Sequence, residues 1–458
     1  MEQNTPRTFR SYFVAFLTPQ RTLILSFLSF IFLGTLALKL PSCTKQGGMD
    51  LLNALFTSTS AVCVTGLTVV ETGKFFTPWG QVVILSLIQV GGLGIMTFSV
   101  LFYHLLGRGI PLRNKMAVQD VFAYAPVRDI FYIVKWVFMY TITIETVGAC
   151  FLFWSWLPTY SCTEALYLAI FHAVSAFCNA GFSLLKGSLS SYRHNLMVNI
   201  TFISLIILGG IGFVVLHELR RGLRRRSPLS LHTKVVLVTT AVLIVVGTLL
   251  FFLLERGNTL AGYSLKNKVI ISLFQSVTAR TAGFSTVEFW HLSNATLFVF
   301  VILMFVGASP GSCGGGVKTT NLAILFSVAW NRFRGRAEVN MFKRTLPRET
   351  VSRSISIFLA SFLLVTLILV LVLIFQGGGI PHPKSRRLFL ELLFEVTSAF
   401  GTVGLSTGAT GTLTPLSKML IIITMFVGRL GPLTLAFALA KREEARRFQY
   451  TEENIMVG

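Results

Sequence analysis

The chain has 458 residues, of which 53% are hydrophobic and only 13% charged, with 41 phenylalanines and a formal net charge of +22. So much apolar side chain cannot be hidden in one water-soluble core of this length, so the solvent for most of the chain is lipid. The basic balance sits in short segments beside apolar runs, which excludes nucleic acid as the reason for it and points to membrane orientation and anionic lipid headgroups.

Runs of about 18 or more apolar residues, long enough to cross roughly 30 Å of hydrocarbon, fall near 22–40, 80–103, 131–157, 196–217, 233–254, 296–330, 351–375 and 417–440. The first of them has no small-residue cleavage site and is followed by many equivalents, so it reads as a retained membrane helix and not a leader. A shorter apolar stretch lies inside each successive pair, at 50–61, 164–176, 268–278 and 388–399. Such stretches are too short to span and read as re-entrant half-helices. The predicted fold is an all-α polytopic membrane protein of four tandem helix, pore loop, helix repeats arranged pseudo-fourfold around a central ion pore, with about eight transmembrane helices and four re-entrant ones. The repeats take residues 22–103, 131–219, 231–330 and 350–440, with a cytoplasmic N-terminus at 1–21 and a cytoplasmic tail at 441–458.

About twenty-four of the forty Lys and Arg lie in 1–21, 104–130, 217–234, 331–353 and 441–458, which places those segments in the cytoplasm. The densest run is Arg220, Arg221, Arg224, Arg225 and Arg226. The six cysteines show no C-x-x-C and no His/Cys cluster, so neither a zinc site nor a redox pair has support, and a disulfide between the outward Cys43 and Cys162 is open but unsupported. Seven scattered histidines and few acids offer no catalytic constellation, which argues against a membrane enzyme.

After each half-helix comes a glycine followed by Leu or Phe: Phe56 leads to Gly66, Phe171 to Gly181, Phe274 to Gly283 and Phe394 to Gly404. The third spacing is one residue shorter. The loops read Val62-Cys63-Val64-Thr65-Gly66, Phe177-Cys178-Asn179-Ala180-Gly181, Ala279-Arg280-Thr281-Ala282-Gly283 and Phe400-Gly401-Thr402-Val403-Gly404. A pore that strips water from a cation must replace the water oxygens, and a ring of backbone carbonyls does so without burying a full anionic charge. Turning successive carbonyls to one side needs backbone angles that a Cβ disfavours, which accounts for the glycines. Each half-helix also aims the negative end of its dipole at the pore. The candidate ion site is therefore Val64, Thr65, Gly66, Asn179, Ala180, Gly181, Thr281, Ala282, Gly283, Thr402, Val403 and Gly404, holding a cation through backbone carbonyls alone. The bland alternative is that these glycines turn the chain or let helices approach closely.

The second run of repeat three is interrupted by Gly307-Ala308-Ser309-Pro310-Gly311-Ser312-Cys313-Gly314-Gly315-Gly316-Val317-Lys318. Pro310 removes a donor and the glycines make a helix costly there, and irregular backbone at membrane depth is tolerated only where it lines a cavity or is covered. Gly91-Gly92-Leu93-Gly94, Gly209-Gly210-Ile211-Gly212 and Gly428-Arg429-Leu430-Gly431-Pro432 stand at the matching places, without the insertion. Arg429 is an expensive intramembrane charge, and its five donors are expected to hold the 307–318 loop and set the barrier for the ion, with a structural ion pair as the rival reading. Arg280 is expected to point behind its loop to a carboxylate such as Glu395. Glu145 reads as a partnered structural carboxylate ahead of a cation relay, and Lys318 as either paired with a carboxylate or capping the broken helix.

With the four loops and the 307–318 stretch, nearly the whole chain resembles the Trk/Ktr/HKT superfamily of potassium transporters, and within it the Ktr-type membrane subunit. The start of the chain leaves no room for the extra N-terminal helix pair of the Trk type. The resemblance implies potassium uptake across a bacterial plasma membrane, with Gly307, Pro310, Gly311, Gly314, Gly315, Gly316 and Lys318 forming an intramembrane gate beside Arg429. In the family a serine at the first filter glycine accompanies sodium permeation, and here that residue is Gly66. It also implies a homodimer, one pore per protomer, docked on a cytoplasmic ring of nucleotide-binding regulatory (RCK-type) subunits. The chain itself carries no nucleotide-binding motif. No covalent cofactor is expected: potassium is the transported ion and sodium a candidate activator. The rival within the superfamily is a sodium-permeable or proton/sodium-coupled cation transporter. A coupled transporter with broken helices and two repeats fits four loops less well.

Overall fold

The structure is a computed structural model and describes residues 19–94, 97, 130–225, 228–379, 381 and 387–439. Most of the arm 1–21, the end of the run 80–103, almost all of the basic segment 104–130, Arg226 and the tail 441–458 lie outside the described residues. The regular elements of the described residues are helices joined by loops, with one two-stranded hairpin.

Four units of the same plan follow one another. The first has α1 (Pro19–Lys39), the half-helix α2 (Leu51–Val62) and α3 (Pro78–Leu93). The second has α4 (Ile130–Trp156), the half-helix α5 (Cys162–Phe177), α6 (Leu196–Gly210) and α7 (Phe213–Arg225). The third has α8 (Leu231–Glu255), the half-helix α9 (Leu265–Thr278), α10 (Asn294–Phe305) and α11 (Thr319–Phe333). The fourth has α12 (Arg348–Gly377), the half-helix α13 (Leu388–Gly401), α14 (Pro415–Leu430) and α15 (Pro432–Leu439). Three half-helices begin on a side-chain cap: Asp50 accepts from the Leu52 amide, Ser161 from Glu164 and Ser264 from Asn267. Such caps satisfy one of the free amides of a helix start. Pro78 and Pro415 open α3 and α14, where a missing N–H costs nothing.

The first helix of each unit is long and apolar enough to cross a membrane: 20–39, 134–156, 231–255 and 348–377. Their outward side chains, such as Phe32, Leu33, Val245 and Leu363, are exposed, and a membrane supplies the apolar surroundings those faces require. Of the eight apolar runs, the four that open the units are single helices of spanning length among the described residues, with a fifth if the bent pair α6 and α7 is one span, and the second run of each unit is interrupted. Segment α3 stops at Gly94 (φ 82°), α6 meets α7 at a bend of 102°, α10 and α11 are parted by residues 306–318, and α14 stops at Gly431 (φ 86°) before Pro432. Hydropathy sees an apolar run straight through such a break. A left-handed glycine does not continue a helix.

The second segment of each unit packs on the half-helix of the next: α3 on α5, α6 on α9, α10 on α13, and α14 back on α2. That order closes on itself. Phe56, Phe171, Phe274 and Phe394, the phenylalanines that mark the repeat in the sequence, are all fully buried within it. Outside the ring, α7 carries the basic run, with Arg220 lying 4.3 Å over the Trp136 ring, and Glu218 accepts from Ser230 at the start of α8. Between α11 and α12 the strands β1 (Asn340–Met341) and β2 (Arg344–Thr345) pair antiparallel across Phe342 and Lys343, both at positive φ. Nothing in that turn resembles the glycine pairs that announce a hairpin.

Candidate functional site

Each half-helix hands over to its loop in the same way. The residue two before the glycine is left-handed, although none is glycine: Val64 (φ 56°), Asn179 (58°), Thr281 (66°) and Thr402 (49°). The glycines themselves, Gly66, Gly181, Gly283 and Gly404, lie at φ 92°, 70°, 76° and 85°. A β-branched residue in this region is strained, so the surroundings must hold it. They do so through the half-helix. The amides of Thr65, Ala180 and Val403 each reach back five residues, to the carbonyls of Ser60, Ser175 and Ser398, at 2.7 to 2.8 Å. In the third loop Ala282 reaches back only four, to Thr278, at 3.1 Å, which is how the shorter spacing after Phe274 is absorbed.

The same hydroxyl residues bind the loop a second time. Ser60 Oγ accepts from the Gly66 amide and Ser398 Oγ from the Gly404 amide, both at 3.1 Å. Ser175 Oγ donates to the Phe182 carbonyl at 2.8 Å, and Thr278 Oγ1 donates to the Phe284 carbonyl. These four residues were not singled out from the sequence. The signal was there: a hydroxyl six residues before the glycine, five in the third loop.

The four glycines meet. A Cβ built on Gly66 would lie 2.5 Å from the Ala180 carbonyl oxygen, one on Gly181 3.0 Å from that of Ala282, and one on Gly283 2.6 Å from that of Val403. A Cβ on Gly404 would strike the Thr65 carbonyl, closing the ring in chain order. Gly181 Cα also stands within 3.0 Å of the Cβ positions on both Gly66 and Gly283. Every loop therefore presents a bare Cα to the carbonyl of its neighbour, a packing that side chains would forbid.

Glycines of the second segments make a further tier. A Cβ on Gly91, Gly209 or Gly428 would collide with the carbonyl of Val62, Phe177 or Phe400, the residue four before the ring glycine in its own unit. In the third unit this place is taken by the stretch 306–318. Gly307 donates to Val317 O at 2.9 Å, and Ala308 to Gly315 O at 3.3 Å, folding the stretch on itself. It is tied to the second unit through Ser309 N to Gly210 O (3.0 Å), Cys313 N to Gly209 O (3.1 Å) and Phe213 N to Gly311 O (3.0 Å). Pro310 adds a carbonyl against Gly212, whose added Cβ would sit 2.6 Å from it. Toward the fourth unit, Gly316 N donates to Gly428 O at 3.2 Å and Gly315 N to Thr402 Oγ1 at 2.8 Å. Gly311 (φ 67°) and Gly316 (φ 70°) are both left-handed.

The buried charges resolve as follows. Arg429 donates through Nη1 to Cys313 O, in the middle of the 307–318 loop, and through Nη2 to Gly91 O. Lys318 Nζ caps the loop's own Gly314 carbonyl at 2.7 Å. Glu145 accepts from Gln89 Nε2 at 3.3 Å and from the Cys178 thiol at 3.8 Å, behind the second loop. The expected pairing of Arg280 with Glu395 is absent. Arg280 Nη2 donates to Thr240 Oγ1 at 3.4 Å, while Glu395 is occupied by its own outer loop: Ser406 Oγ at 2.6 Å, the Thr407 amide at 3.0 Å and the Thr410 hydroxyl. A buried carboxylate takes neutral donors readily when a loop offers several, and sequence position could not reveal that supply. All six cysteines are free, so Cys43 and Cys162 are not joined.

A multi-pass helical bundle whose four broken units bring four glycine loops to one ring defines an integral membrane protein of the transport class. The chain matches the family described as "TrkH: Cation transport protein" over residues 3–450. It belongs to that family, whose business is moving cations and not catalysis, and it is a multi-pass protein of the plasma membrane. It is 38% identical to the "Ktr system potassium uptake protein B" of Bacillus subtilis (strain 168), over 96% of this chain and 97% of that one. To the protein of the same name from Vibrio alginolyticus it is 36% identical, over 96% and 94%. To the "Potassium/sodium uptake protein NtpJ" of Enterococcus hirae it is 35% identical, over 96% and 98%. Among solved structures, that of the potassium transporter TrkH from Vibrio parahaemolyticus matches in fold with a TM-score of 0.71, at 20% identity over 96% of this chain and 86% of that one.

Proposed function

We propose that the chain is a potassium-uptake pore whose selectivity filter is the ring formed by the four loops and whose gate is the 307–318 loop held by Arg429. One observation carries the reading: each ring glycine presents its bare Cα to the carbonyl of the preceding residue in the next loop, in closed order. A cation on that axis meets carbonyl oxygens from four directions and no full charge, which is how a filter replaces a hydration shell. The named relatives support potassium as the ion.

The chemistry divides among the residues without any covalent step. Carbonyls of Val64, Thr65, Asn179, Ala180, Thr281, Ala282, Thr402 and Val403, with those of the four glycines, take the place of water, and the half-helix dipoles favour a cation. The loop 307–318 closes the path below them, and the Arg429 guanidinium raises the barrier to a cation there. Sodium permeation or coupling is the second reading, favoured by the potassium/sodium name of the Enterococcus relative. A homodimer and a cytoplasmic nucleotide-binding ring complete the proposal, supported by names that speak of a system and not of one chain.

The test is growth of a potassium-uptake-deficient bacterium at limiting potassium, expressing this chain with a cognate regulatory subunit. The unmodified chain restores growth, and Gly66→Ser restores it less while admitting sodium. Rescue by neither chain refutes the assignment.

A further inference from the structure

The residue two before each ring glycine points away from the ring and down onto a glycine-rich break. Val64 Cγ2 would lie 3.1 Å from a Cβ on Gly91, and Asn179 Nδ2 3.3 Å from one on Gly210. Thr281 and Thr402, at the same place in the third and fourth loops, meet the 307–318 loop instead. A Cβ on Gly314 would strike Thr281 Oγ1, and one on Gly315 would lie 2.6 Å from Thr402 Oγ1 and 2.7 Å from its Cγ2. Two threonines thus cradle the dipeptide Gly314-Gly315. They differ in one respect. Thr402 Oγ1 accepts the Gly315 amide at 2.8 Å, whereas the Thr281 hydroxyl faces sideways, 3.3 Å from the Asn179 amide group.

We infer that the Thr402 hydroxyl is a latch that holds the 307–318 loop beneath the ring, so that withdrawal of the loop and the shape of the fourth ring loop are one event. This rests on the reading of 307–318 as the gate. Among the hydrogen bonds of the described residues, it is the one that a side chain of a ring loop makes to that loop's backbone. The other ties run to second-segment carbonyls at Gly209, Gly210 and Gly428, or come from the Phe213 amide, Arg429 and Lys318.

The hydroxyl is not needed to shape the ring loop itself. Val64 holds the equivalent left-handed position, at φ 56° against 49° for Thr402, with a β-branched side chain of the same outline and no hydroxyl. What the hydroxyl adds is an acceptor for the N–H of the buried Gly315. When the loop leaves, that amide reaches water, and Thr402 loses the contact that steadies a strained backbone. The ring and the gate then answer to each other through residue 402.

The experiment uses the full chain in proteoliposomes, with Thr402→Val removing only the hydroxyl and Thr402→Ser keeping it. Two readings are taken: potassium flux, and modification of Cys313 by N-ethylmaleimide resolved by peptide mass spectrometry. Cys313 is buried inside the loop, and Cys43, equally buried, lies outside it as an internal control. One neutral hydrogen bond is a factor of about three to ten in the gate equilibrium. Thr402→Val is therefore expected to raise both Cys313 labelling and potassium flux by about that factor, with Cys43 unchanged and Thr402→Ser close to the unmodified chain. Unchanged Cys313 labelling in Thr402→Val overturns the latch, as does an equal effect from Thr402→Ser, or a rise at Cys43 that tracks Cys313. An unmodified chain that passes no potassium refutes the pore reading instead, while the labelling still reports on the latch.

Discussion

Replacing Gly181 by alanine separates the crowding of the ring from the strain of its backbone. Residue 181 sits at φ 70°, where an L-residue costs about 1–2 kcal/mol. The new Cβ would also lie 2.9 Å from Gly283 Cα, 3.0 Å from Ala282 O and 3.3 Å from Gly66 Cα. All three neighbours are backbone and cannot swing aside, so overpacking adds about 1–3 kcal/mol. Gly408 is the control: its φ is 98°, yet a Cβ there meets nothing within 4 Å. Gly408→Ala carries the backbone strain alone. Potassium uptake into proteoliposomes, read beside thermal unfolding, should show Gly181→Ala losing transport by about tenfold or more, since each 1.4 kcal/mol is about a factor of ten. Gly408→Ala should lose stability and keep transport. Unchanged uptake in Gly181→Ala would mean that the glycines do not meet as described.

Ser60→Ala leaves the buried Gly66 amide without its acceptor, at a cost of about 1–3 kcal/mol. Discrimination of potassium over sodium should fall severalfold by competitive uptake, and undiminished selectivity would remove the serine from the account. Arg429→Ala strips both Cys313 O and Gly91 O of a charged donor, and the ungated potassium flux should rise by about tenfold or more; a flux and gating like the unmodified chain would refute its role. Arg280 and Glu395, though neighbours in the sequence-based reading, hold separate partners. A double-mutant cycle of Arg280→Met and Glu395→Gln in thermal unfolding should therefore give a coupling below about 0.5 kcal/mol, and a coupling well above that would restore the pair.

The repeat was legible because its marks are local. Phe56, Phe171, Phe274 and Phe394 fix the register of each half-helix, and the glycine that follows falls where the loop must turn. The missing residue before Gly283 was equally visible, and its consequence, a backbone bond to Thr278 four residues back where the other loops reach back five, follows from spacing alone. What escaped notice depends on contacts across units. Hydropathy over 196–217 and 417–440 runs straight through breaks that only the left-handed glycines Gly212 and Gly431 reveal. Glu395 was assigned to Arg280 by proximity in the repeat plan, because nothing in the sequence says that Ser406, Thr407 and Thr410 fold back over it. The Thr402 contact with Gly315 joins residues 87 apart, and no periodicity encodes such a meeting.

The central claim is that the ring passes potassium and rejects sodium because carbonyls of four loops surround the ion. The direct measurement is the ratio of potassium to sodium flux through the full chain in proteoliposomes, with its regulatory subunit present, for the unmodified chain and for Gly66→Ser. The account predicts a ratio well above one that falls toward one in the variant, because the serine Cβ would lie 2.5 Å from the Ala180 carbonyl and displace it from the ring. Equal fluxes of the two ions through the unmodified chain, or an identical high ratio in both, would contradict it.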